Sequence, residues 1–239
     1  MDEAELVAAV GRGLAERSRA AMCLALMNGE PWTVSALAHE AGVGRPTASE
    51  HVARLEQAGL VTTTTEGRHK YVRLSGPQIA EVLESLCALA DRRTRPQSLS
   101  AVRRTRHLAA ARTCYDHLAG RLGVAVFDGL LDAGVLRRRA GLAVTRAGRA
   151  WFGDLGISVD DLEQQRRVLL RDCVDLTERR PHLAGSLGAS LCSTFLSRGW
   201  VRRAGSDRAL GVTPEGERAV GDLLGIAPAA SSWHDHVGS

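Results

Sequence analysis

The chain has few aromatic side chains and almost no lysine. Aromatic residues make up 4% of its 239 positions, and Lys70 is the single lysine among 31 lysine and arginine residues. A hydrophobic core must therefore be built mainly from Leu, Val and Ala, and the hydrophobic content of 44% is sufficient for one. The preference for arginine is typical of a GC-rich genome. The net charge of +4 is compatible with a nucleic-acid partner without requiring one.

The sequence also lacks the patterns of secreted, membrane-bound and catalytic proteins. Its five cysteines, at positions 23, 87, 114, 173 and 192, have no Cys-x-x-Cys spacing, which indicates a reducing compartment rather than a disulfide framework. The acidic N-terminus is unlike a secretory signal, and no apolar run has membrane-spanning length. Gly-x-Ser-x-Gly, Walker and His-Glu-x-x-His motifs are missing. We therefore expect a cytoplasmic protein with no enzymatic activity and no contact with a membrane.

Residues 33–60 have the pattern of two short helices joined by a tight turn. The segment Gly42-Val43-Gly44 makes the turn, and Pro46 follows at a first-turn position, where its missing N–H would be unpaired in any case. Apolar residues then recur at helical spacing and face inward: Ala48, Val52 and Leu55. The polar residues on the rest of this helix suit a DNA major groove. They are Arg45, Thr47, Ser49, Glu50, His51 and Arg54.

The segments on either side complete a small domain. Amphipathic helices are predicted over residues 4–16 and 18–27. Residues 60–64 and 69–74 alternate like two strands of a hairpin, which would form a wing beside the second helix of the pair. A closing helix over residues 77–92 has an apolar stripe too long for its own domain, which indicates a partner helix. The wing residues predicted to contact phosphates are Arg68, His69, Lys70 and Arg73.

These residues resemble a known family. Residues 46–61 follow the pattern Pro-Thr-x-Ser-x-His-x-x-x-Leu-x-x-Ala-Gly-Leu-Val, and Glu-Gly-Arg with a returning strand comes after them. Residues 6–90 are similar to the ArsR/SmtB family of winged-helix transcriptional repressors. The resemblance implies a homodimer, joined through the first and last helices of the module, that binds an inverted repeat in double-stranded operator DNA.

The chain departs from that family at three places. Trp32-Thr33-Val34-Ser35 replaces the Cys-x-Cys of metal-sensing members, and residues 77–92 contain no His, so both familiar metal sites are missing. Glu50 stands where the family often has Arg, Gln or Lys. A carboxylate there can accept a hydrogen bond from a cytosine amino group, and we interpret it as a change in operator preference.

The second half of the chain contains an internal repeat. The sequence HLAGRLG at 117–123 recurs as HLAGSLG at 182–188, an offset of 65 residues, and both copies end in Leu-Gly-Ile. Each copy has the pattern of a winged helix, but compared with residues 37–61 it lacks six residues at the turn and the start of the recognition helix. The predicted fold is mainly α with small β-hairpins. It comprises an N-terminal winged helix–turn–helix and a C-terminal domain of two degenerate winged-helix-like repeats.

This repeat defines the predicted domain organisation. A DNA-binding and dimerisation domain spans 1–93, a linker and connecting helix 94–113, a duplicated effector domain 114–228, and a flexible tail 229–239. Two packed, related units create an interface, where effector pockets often lie. We predict effector-binding residues at Cys114, Tyr115, His117, Trp151, Cys173, Arg179, Arg180, His182 and Trp200.

The chemistry of these residues leaves several alternatives. Cys114 and His117 fall at positions i and i+3 of a helix predicted over 101–123, and Cys173 and His182 belong to the second copy. The four residues suit a metal or haem, a thiol switch, or a structural role, while an organic effector is the main expectation and no cofactor is required. Arg179 and Arg180 suit either an anionic effector or ion pairs with Asp172 or Asp175.

The sequence therefore predicts a dimeric one-component transcriptional regulator, more a repressor than an activator. The N-terminal module would bind operator DNA, and a small-molecule effector at the C-terminal domain would control it. Two alternatives remain: a ligand-binding or protein-interaction module that does not bind DNA, and a thiol, haem or metal redox sensor that uses Cys114, His117, Cys173 and His182.

Overall fold

The computed structural model describes residues 2–90, 106–139, 141–204 and 208–226. The chain divides into two units, Met1–Leu89 and Ala90–Ser239. Residues 94–105 of the predicted linker and the predicted tail at 229–239 lie outside the described residues. Within the described ranges, no helix is both long and apolar enough to cross a membrane.

The first unit is a winged helix–turn–helix. Its elements are α1 (Glu3–Leu14), α2 (Arg17–Ala25), β1 (Trp32–Thr33), α3 (Val34–Ala41), α4 (Arg45–Gln57), β2 (Val61–Glu66), β3 (His69–Leu74) and α5 (Pro77–Ala90). The three strands form an antiparallel sheet in the order β1-β3-β2. The fold predicted for this module is confirmed.

Local sequence sets the turn between α3 and α4. The side chain of Thr33 caps α3 by accepting a hydrogen bond from the backbone N–H of Ala36 at 3.2 Å. Gly42 ends α3 in the left-handed region at φ 68°, where a glycine has no steric penalty. Leu37 of α3 and Leu55 of α4 are both fully buried. The two helices are therefore fixed by their caps at the turn and by a shared apolar core.

The second unit contains the same order of elements twice: a hairpin, a long helix, a short hairpin and a helix. The first copy is β4 (Arg112–Cys114), β5 (His117–Ala119), α6 (Gly120–Asp132), β6 (Leu136–Arg137), β7 (Ala143–Val144) and α7 (Arg146–Asp154). After α8 (Val159–Glu163), the second copy is β8 (Arg171–Val174), β9 (Pro181–Ala184), α9 (Gly185–Ser197), β10 (Val201–Arg203), β11 (Leu210–Val212) and α10 (Pro214–Leu224).

The helix predicted over 101–123 is wrong from Arg112 onward, because residues 112–119 form the hairpin β4–β5. Gly120 is the first residue of the next helix, α6, and its conformation rules out a continuous helix through this position. Its φ is +73°, and a Cβ there would lie 2.8 Å from the carbonyl oxygen of Ala109. An α-helix cannot pass through a residue in this conformation, although Ala, Leu and Arg favour helix locally. Tertiary contacts have overridden the local preference.

This hairpin also changes the correspondence with the first unit. Leu37 and Ala38 lie in helix α3, whereas Leu118 and Ala119 lie in strand β5, so the predicted match of these segments is wrong. The later part of the pattern does agree. Each long helix, α4, α6 or α9, is followed by a glycine with positive φ and then by a hairpin. These glycines are Gly59, Gly134 and Gly199, at +71°, +68° and +68°.

The two copies pack reciprocally. Helix α6 of the first copy packs on β9 of the second, and α9 of the second packs on β5 of the first. Glycine permits a close approach within each copy: a Cβ on Gly123 of α6 would collide with the carbonyl oxygen of Leu118 in β5, and one on Gly188 of α9 would lie 2.5 Å from that of Leu183 in β9. Across the copies, a Cβ on Gly188 would lie 3.4 Å from Cβ of His117. Strands β5 and β9 also contact each other, so the two hairpins lie side by side.

A buried ion pair joins the two hairpins. Arg112 of β4 and Asp175 of the β8–β9 loop are 2% and 0% exposed, and Nη2 of Arg112 lies 3.0 Å from Oδ2 of Asp175. The same carboxylate accepts hydrogen bonds from the backbone N–H groups of Gly120, at the start of α6, and of Thr177. Burial would raise the pKa of Asp175, but Arg112 and the backbone donors outweigh it and hold the pKa well below its usual range.

We expect Arg112→Leu to lower the free energy of unfolding of the second unit by about 3–5 kcal/mol, because it leaves the Asp175 carboxylate buried without its cation. Urea denaturation followed by tryptophan fluorescence measures the loss. The control is Arg180→Leu, which removes an exposed pair with Asp128 and should cost at most about 1 kcal/mol. Equal losses in the two variants would mean that Arg112 does not join the hairpins.

Candidate nucleic-acid interface and buried Cys–His cluster

Helix α4 presents a polar, exposed surface. Its buried side consists of Ala48, Val52 and Leu55, which pack into the core of the first unit. Five of the six residues predicted to face DNA are exposed: Arg45, Thr47, Ser49, Glu50 and Arg54. Pro46 occupies the first turn, as the sequence predicted. A helix with this division of apolar and polar faces can enter a groove while its other face stays packed.

His51 is the exception because it is only partly exposed, and its contact with DNA stays a prediction. Its side chain is 13% exposed, and Nε2 lies 3.5 Å from Oε2 of Glu16. Glu16 is the N-cap of α2 and accepts hydrogen bonds from the backbone N–H groups of Ser18 and Arg19. These backbone bonds lower the pKa of Glu16. His51 therefore lies on the flank of α4 that meets α2, not on the exposed face.

Arg54 lies on that same flank, but at the surface. It lines a cleft of about 430 Å³ between α1 and α4, together with Arg12 and Arg19. Arg19 of α2 is bound to the end of α1, because its Nε donates to the carbonyl oxygen of Gly13 at 2.6 Å. Arg12 and Arg54 add positive charge at the edge of the exposed face of α4.

The wing places its basic residues on two sides. Arg68 and His69 are exposed at its tip, where Nε of Arg68 donates to Nε2 of His69 at 3.4 Å. Lys70 faces α4, since its Nζ lies 3.6 Å from Oε2 of Glu56. Arg73 is exposed on the opposite side of β3, because alternate residues of a strand point to opposite faces and Val72 is buried. All four predicted wing residues are therefore accessible.

The second unit brings together four predicted effector residues, Cys114, His117, Cys173 and His182, which we call the Cys–His cluster. Cys114 is the cross-strand partner of His117 in β4–β5, and Cys173 is the partner of His182 in β8–β9. One sulfur or nitrogen atom from each residue lies within 4.8 Å of the other three. The pairing within each hairpin corrects the prediction that Cys114 and His117 share the face of a helix.

The cluster is buried, and its like atoms face each other across the two copies. The Sγ atoms of Cys114 and Cys173 are 3.9 Å apart, and the Nε2 atoms of His117 and His182 are 3.1 Å apart. The two imidazole rings stack with centroids 5.0 Å apart. All four residues are less than 9% exposed. The arrangement follows from the reciprocal packing of the copies, which places equivalent side chains opposite one another.

Each histidine has a carboxylate behind it. Oδ1 of Asp116 lies 3.3 Å from Nδ1 of His117, and Oδ2 of Asp175 lies 3.8 Å from Nδ1 of His182. Each carboxylate also has an arginine: Arg167 donates to both oxygens of Asp116 at 2.6 and 3.1 Å, and Arg112 pairs with Asp175. Asp116 is within hydrogen-bond distance of Nδ1 of His117 and orients that ring, whereas Nδ1 of His182 makes no hydrogen bond and has only the charge of Asp175 nearby.

The electrostatics of the cluster favour a thiolate. Hydrogen bonding to the thiol of Cys114, together with His117 and His182, lowers the pKa of Cys173 far below that of an ordinary thiol, although burial opposes the change. Burial also acts to lower the pKa of His117, but Asp116 and Cys173 outweigh it and raise that pKa. Cys23 and Cys192 differ, because burial raises the pKa of each thiol to about 12. The cluster thus differs chemically from the other buried thiols.

The remaining predicted effector residues lie elsewhere in the second unit. Trp200 packs edge-on against Phe195, and Trp151 packs edge-on against Phe152, within the apolar core. Arg180 is exposed and pairs with Asp128 at 2.8 Å, rather than with the predicted Asp172 or Asp175. Arg179 and Tyr115 have positive φ, 54° and 60°, in the loops of the two hairpins. Tyr115 follows Cys114 directly, so this unfavourable conformation lies beside a cluster residue.

Sequence reasoning missed Arg112, Asp116 and Asp175. A pattern for them is present: Arg-Thr-Cys-Tyr-Asp at 112–116 recurs as Arg-Asp-Cys-Val-Asp at 171–175. In the first copy the shared form Arg-x-Cys-x-Asp is followed directly by His-Leu-Ala-Gly. In the second copy six residues separate the two motifs. An alignment that starts at the histidines does not include it, because the longer β8–β9 loop shifts the register.

An exposed polar helix beside a basic hairpin, both held on a small helical core, defines the class of winged helix–turn–helix DNA-binding proteins. The family model described as "Helix-turn-helix domain" matches residues 14–64. The chain is 35% identical to the uncharacterized HTH-type transcriptional regulator YdfF of Bacillus subtilis (strain 168) over 221 residues, which are 92% of this chain and 97% of the relative. The chain therefore belongs to the HTH-type transcriptional regulators.

Other similarities cover the first unit. The chain is 34% identical over 85 residues to the HTH-type transcriptional regulator Rv0324 of Mycobacterium tuberculosis, covering 36% of this chain and 37% of that protein. Among solved structures, the homodimeric winged helix-turn-helix DNA-binding domain of Mb0332 from Mycobacterium bovis, a possible ArsR-family regulator, is 29% identical. It covers 39% of this chain and 86% of its own, with a TM-score of 0.34. The transcriptional repressor BigR from Xylella fastidiosa is 22% identical over 38% of this chain and 91% of its own, also with a TM-score of 0.34.

The position of His51 leads to a prediction that separates stability from DNA binding. We expect His51→Gln to lower the melting temperature, because it removes the contact with Glu16, and to leave the dissociation constant for DNA unchanged. Thr47→Ala, on the exposed face, should weaken DNA binding and leave the melting temperature unchanged. Thermal denaturation and gel-shift titration on the gene's own upstream DNA measure both. Weaker DNA binding by His51→Gln at an unchanged melting temperature would show that His51 contacts DNA.

Proposed function

We propose that the protein is a homodimeric repressor that binds an inverted repeat in operator DNA through α4 and the wing, and that its second unit responds to an effector. The observation that supports this most strongly is the exposed polar face of α4 next to an accessible basic wing. Both surfaces are what a major groove and its flanking phosphates require.

The contacts divide between the two elements. Arg45, Thr47, Ser49 and Glu50 lie in the first half of α4, where a recognition helix contacts base edges. Arg can donate to guanine, and the Glu50 carboxylate can accept from the amino group of cytosine. Arg68 at the wing tip would contact phosphates, which fix the register on the duplex without selecting sequence.

Exposed apolar side chains on α1 and α5 support the dimer. Leu6 and Val7 of α1 are 49% and 72% exposed, and Val82, Leu86 and Leu89 of α5 are 44%, 44% and 83% exposed. Leu83, on the other side of α5, is buried in the first unit. The apolar stripe of α5 is therefore divided between an internal and an external face. A second copy that covers the external face would give two recognition helices, which bind half-sites one DNA turn apart.

Control by the second unit is the remaining part of the proposal. An effector changes operator affinity only if it binds the arrangement that binds DNA and the arrangement that does not with different affinities. The Cys–His cluster, built from both copies of the repeat, is the site in the second unit that we assign to such an effector. We expect all of these steps to take place in the cytoplasm, where the operator is.

The role of the wing in phosphate binding can be measured by salt dependence. We expect Arg68→Ala to weaken DNA binding and to reduce the slope of log K against log salt concentration by about 0.9 for each phosphate that the variant no longer neutralises. Gel-shift titrations on the upstream DNA at several salt concentrations give the slope. The matched control is Arg149→Ala, an arginine of the second unit that pairs with Asp160 and Glu163. An unchanged slope for Arg68→Ala would exclude the wing from the DNA interface.

The dimer interface has its own test. We expect Leu86→Glu to shift the protein from dimer to monomer, because it places a charge within the apolar face of α5, and to weaken binding to the full inverted repeat. Light scattering coupled to size-exclusion chromatography measures the mass. Val168→Glu is the control, since Val168 is an exposed valine of the second unit. A Leu86→Glu protein that stays dimeric would contradict the assignment of α5 to the interface.

A further inference from the structure

We propose that the Cys–His cluster is a zinc site that binds one ion per chain through Sγ of Cys114 and Cys173 and Nε2 of His117 and His182. Metal binding as such does not depend on the function proposed above. Only the use of the metal as an effector rests on that function. The site lies in the second unit and is separate from both metal positions that the family resemblance implies for the first.

The distances within the cluster agree with tetrahedral coordination. Bonds of about 2.0–2.1 Å to nitrogen and about 2.3 Å to sulfur at tetrahedral angles place two nitrogens about 3.3 Å apart and two sulfurs about 3.8 Å apart. The structure has 3.1 Å between the two Nε2 atoms and 3.9 Å between the two Sγ atoms. The ligands come from the facing strands of the two hairpins, and all sulfur–nitrogen distances within the cluster are at most 4.8 Å.

The ligand set selects the class of metal. Two sulfurs and two imidazole nitrogens are typical of a structural zinc site, whereas calcium and magnesium prefer oxygen ligands. The four ligand atoms lie within 4.8 Å of one another, which leaves no room for a porphyrin between the histidines and argues against haem. Both cysteines bind the metal as thiolates, so binding releases any proton that the sulfurs still carry. Two thiolates neutralise Zn²⁺, so the site carries no net charge in a buried place.

The carboxylates behind the histidines complete the site. A histidine that binds a metal commonly donates its other ring N–H to a carboxylate, which fixes the tautomer and the ring orientation. Asp116 lies behind Nδ1 of His117, and Asp175 lies behind Nδ1 of His182. The bond to Asp116 leaves Nε2 of His117 with its lone pair for the metal. Nδ1 of His182 lies 3.8 Å from Asp175 without a hydrogen bond, so a metal on Nε2 of His182 would require a closer approach of that carboxylate to complete the same arrangement. Without an ion, the structure would bury two thiols, two imidazoles and the Asp175 carboxylate where apolar side chains of similar volume would pack more favourably.

The site has a structural consequence. Each hairpin supplies one cysteine and one histidine, so a bound ion would connect the two copies of the repeat at a second point beside the Arg112–Asp175 pair. Loss of the ion would leave the copies joined by that pair and by the reciprocal helix packing. The metal would therefore shift the balance between arrangements of the second unit, which is what an effector must do.

The first test uses the unmodified full-length protein. It is stripped with a chelator under reducing conditions and titrated with Zn²⁺ in competition with a chromophoric chelator, and separately with Co²⁺. We expect one metal ion per chain and, with Co²⁺, the intense visible absorption of a tetrahedral ion together with thiolate charge transfer, both reversed by Zn²⁺. Absence of uptake, or a Co²⁺ spectrum without thiolate charge transfer, would overturn the proposal. So would reduced protein that forms a Cys114–Cys173 disulfide in air and binds no metal before it does so.

Variants then assign the site. We expect Cys114→Ser and Cys173→Ser to lose stoichiometric binding, and the matched control Cys192→Ser, which replaces another buried thiol, to keep it. Asp116→Asn should weaken Zn²⁺ binding roughly 10- to 100-fold without changing the stoichiometry, as removal of an outer hydrogen-bond partner does elsewhere. Full binding by Cys114→Ser, or equal losses in Cys192→Ser, would overturn the assignment. Because the Co²⁺ spectrum of the unmodified protein needs no variant, misfolding of one variant does not remove the test.

A gel shift with metal-free and Zn²⁺-loaded protein separates this inference from the proposed function. Metal binding with no affinity for the upstream DNA in either form would contradict the repressor function and leave the zinc site intact. DNA binding by a protein that takes up no metal would overturn the zinc site alone. A difference in operator affinity between the two forms, abolished in Cys173→Ser and kept in Cys192→Ser, is the result expected if zinc is the effector.

Discussion

The second unit depends on one buried ion pair. Asp175 has no exposed surface, and it accepts hydrogen bonds from Arg112 of the other hairpin and from the first residue of α6. One carboxylate thus fixes three things at once: the β8–β9 loop, the strand β4 and the start of a long helix. Because a buried charge must keep its partner, this arrangement permits little sliding of one hairpin against the other. The close approach of the imidazole and thiol groups follows from that restraint.

Duplication explains why a site of this kind can arise from few residues. Each copy contributes one cysteine and one histidine as cross-strand neighbours, which by themselves make half of a four-ligand set. Reciprocal packing of α6 on β9 and of α9 on β5 brings the halves together with like atoms facing. The glycines at 123 and 188 let each long helix start close to the hairpin of its own copy, since a Cβ there would collide with a backbone carbonyl of that hairpin. The same repeat therefore provides both the packing of the two copies and the four residues of the Cys–His cluster.

The sequence predicted the first unit well and the second unit in part. Helical periodicity, Pro46 and the glycines around the turn were sufficient for α3, α4 and the wing, because local signals and tertiary structure agree there. They conflict at residues 112–119, where helix-favouring residues form strands and the next helix begins only at Gly120, which has a positive φ. Periodicity placed His51 on the polar side of α4 but could not reveal Glu16, whose approach depends on how α2 packs. The sequence alone could not show that the four cluster residues meet, because their contact depends on how the two hairpins pair in three dimensions.

The two units divide the chemistry of a regulator between an outward and an inward surface. In the first unit the distinctive polar side chains are exposed, and Trp32-Thr33-Val34-Ser35 offers a soft metal no ligand. In the second unit the distinctive side chains are buried and assembled from two copies. Metal binding to a zinc-type site can supply a large free energy, and it acts only on the arrangement in which all four ligands meet. If that arrangement and the others differ in their affinity for DNA, the proposed zinc site would supply the differential affinity that control of DNA binding requires.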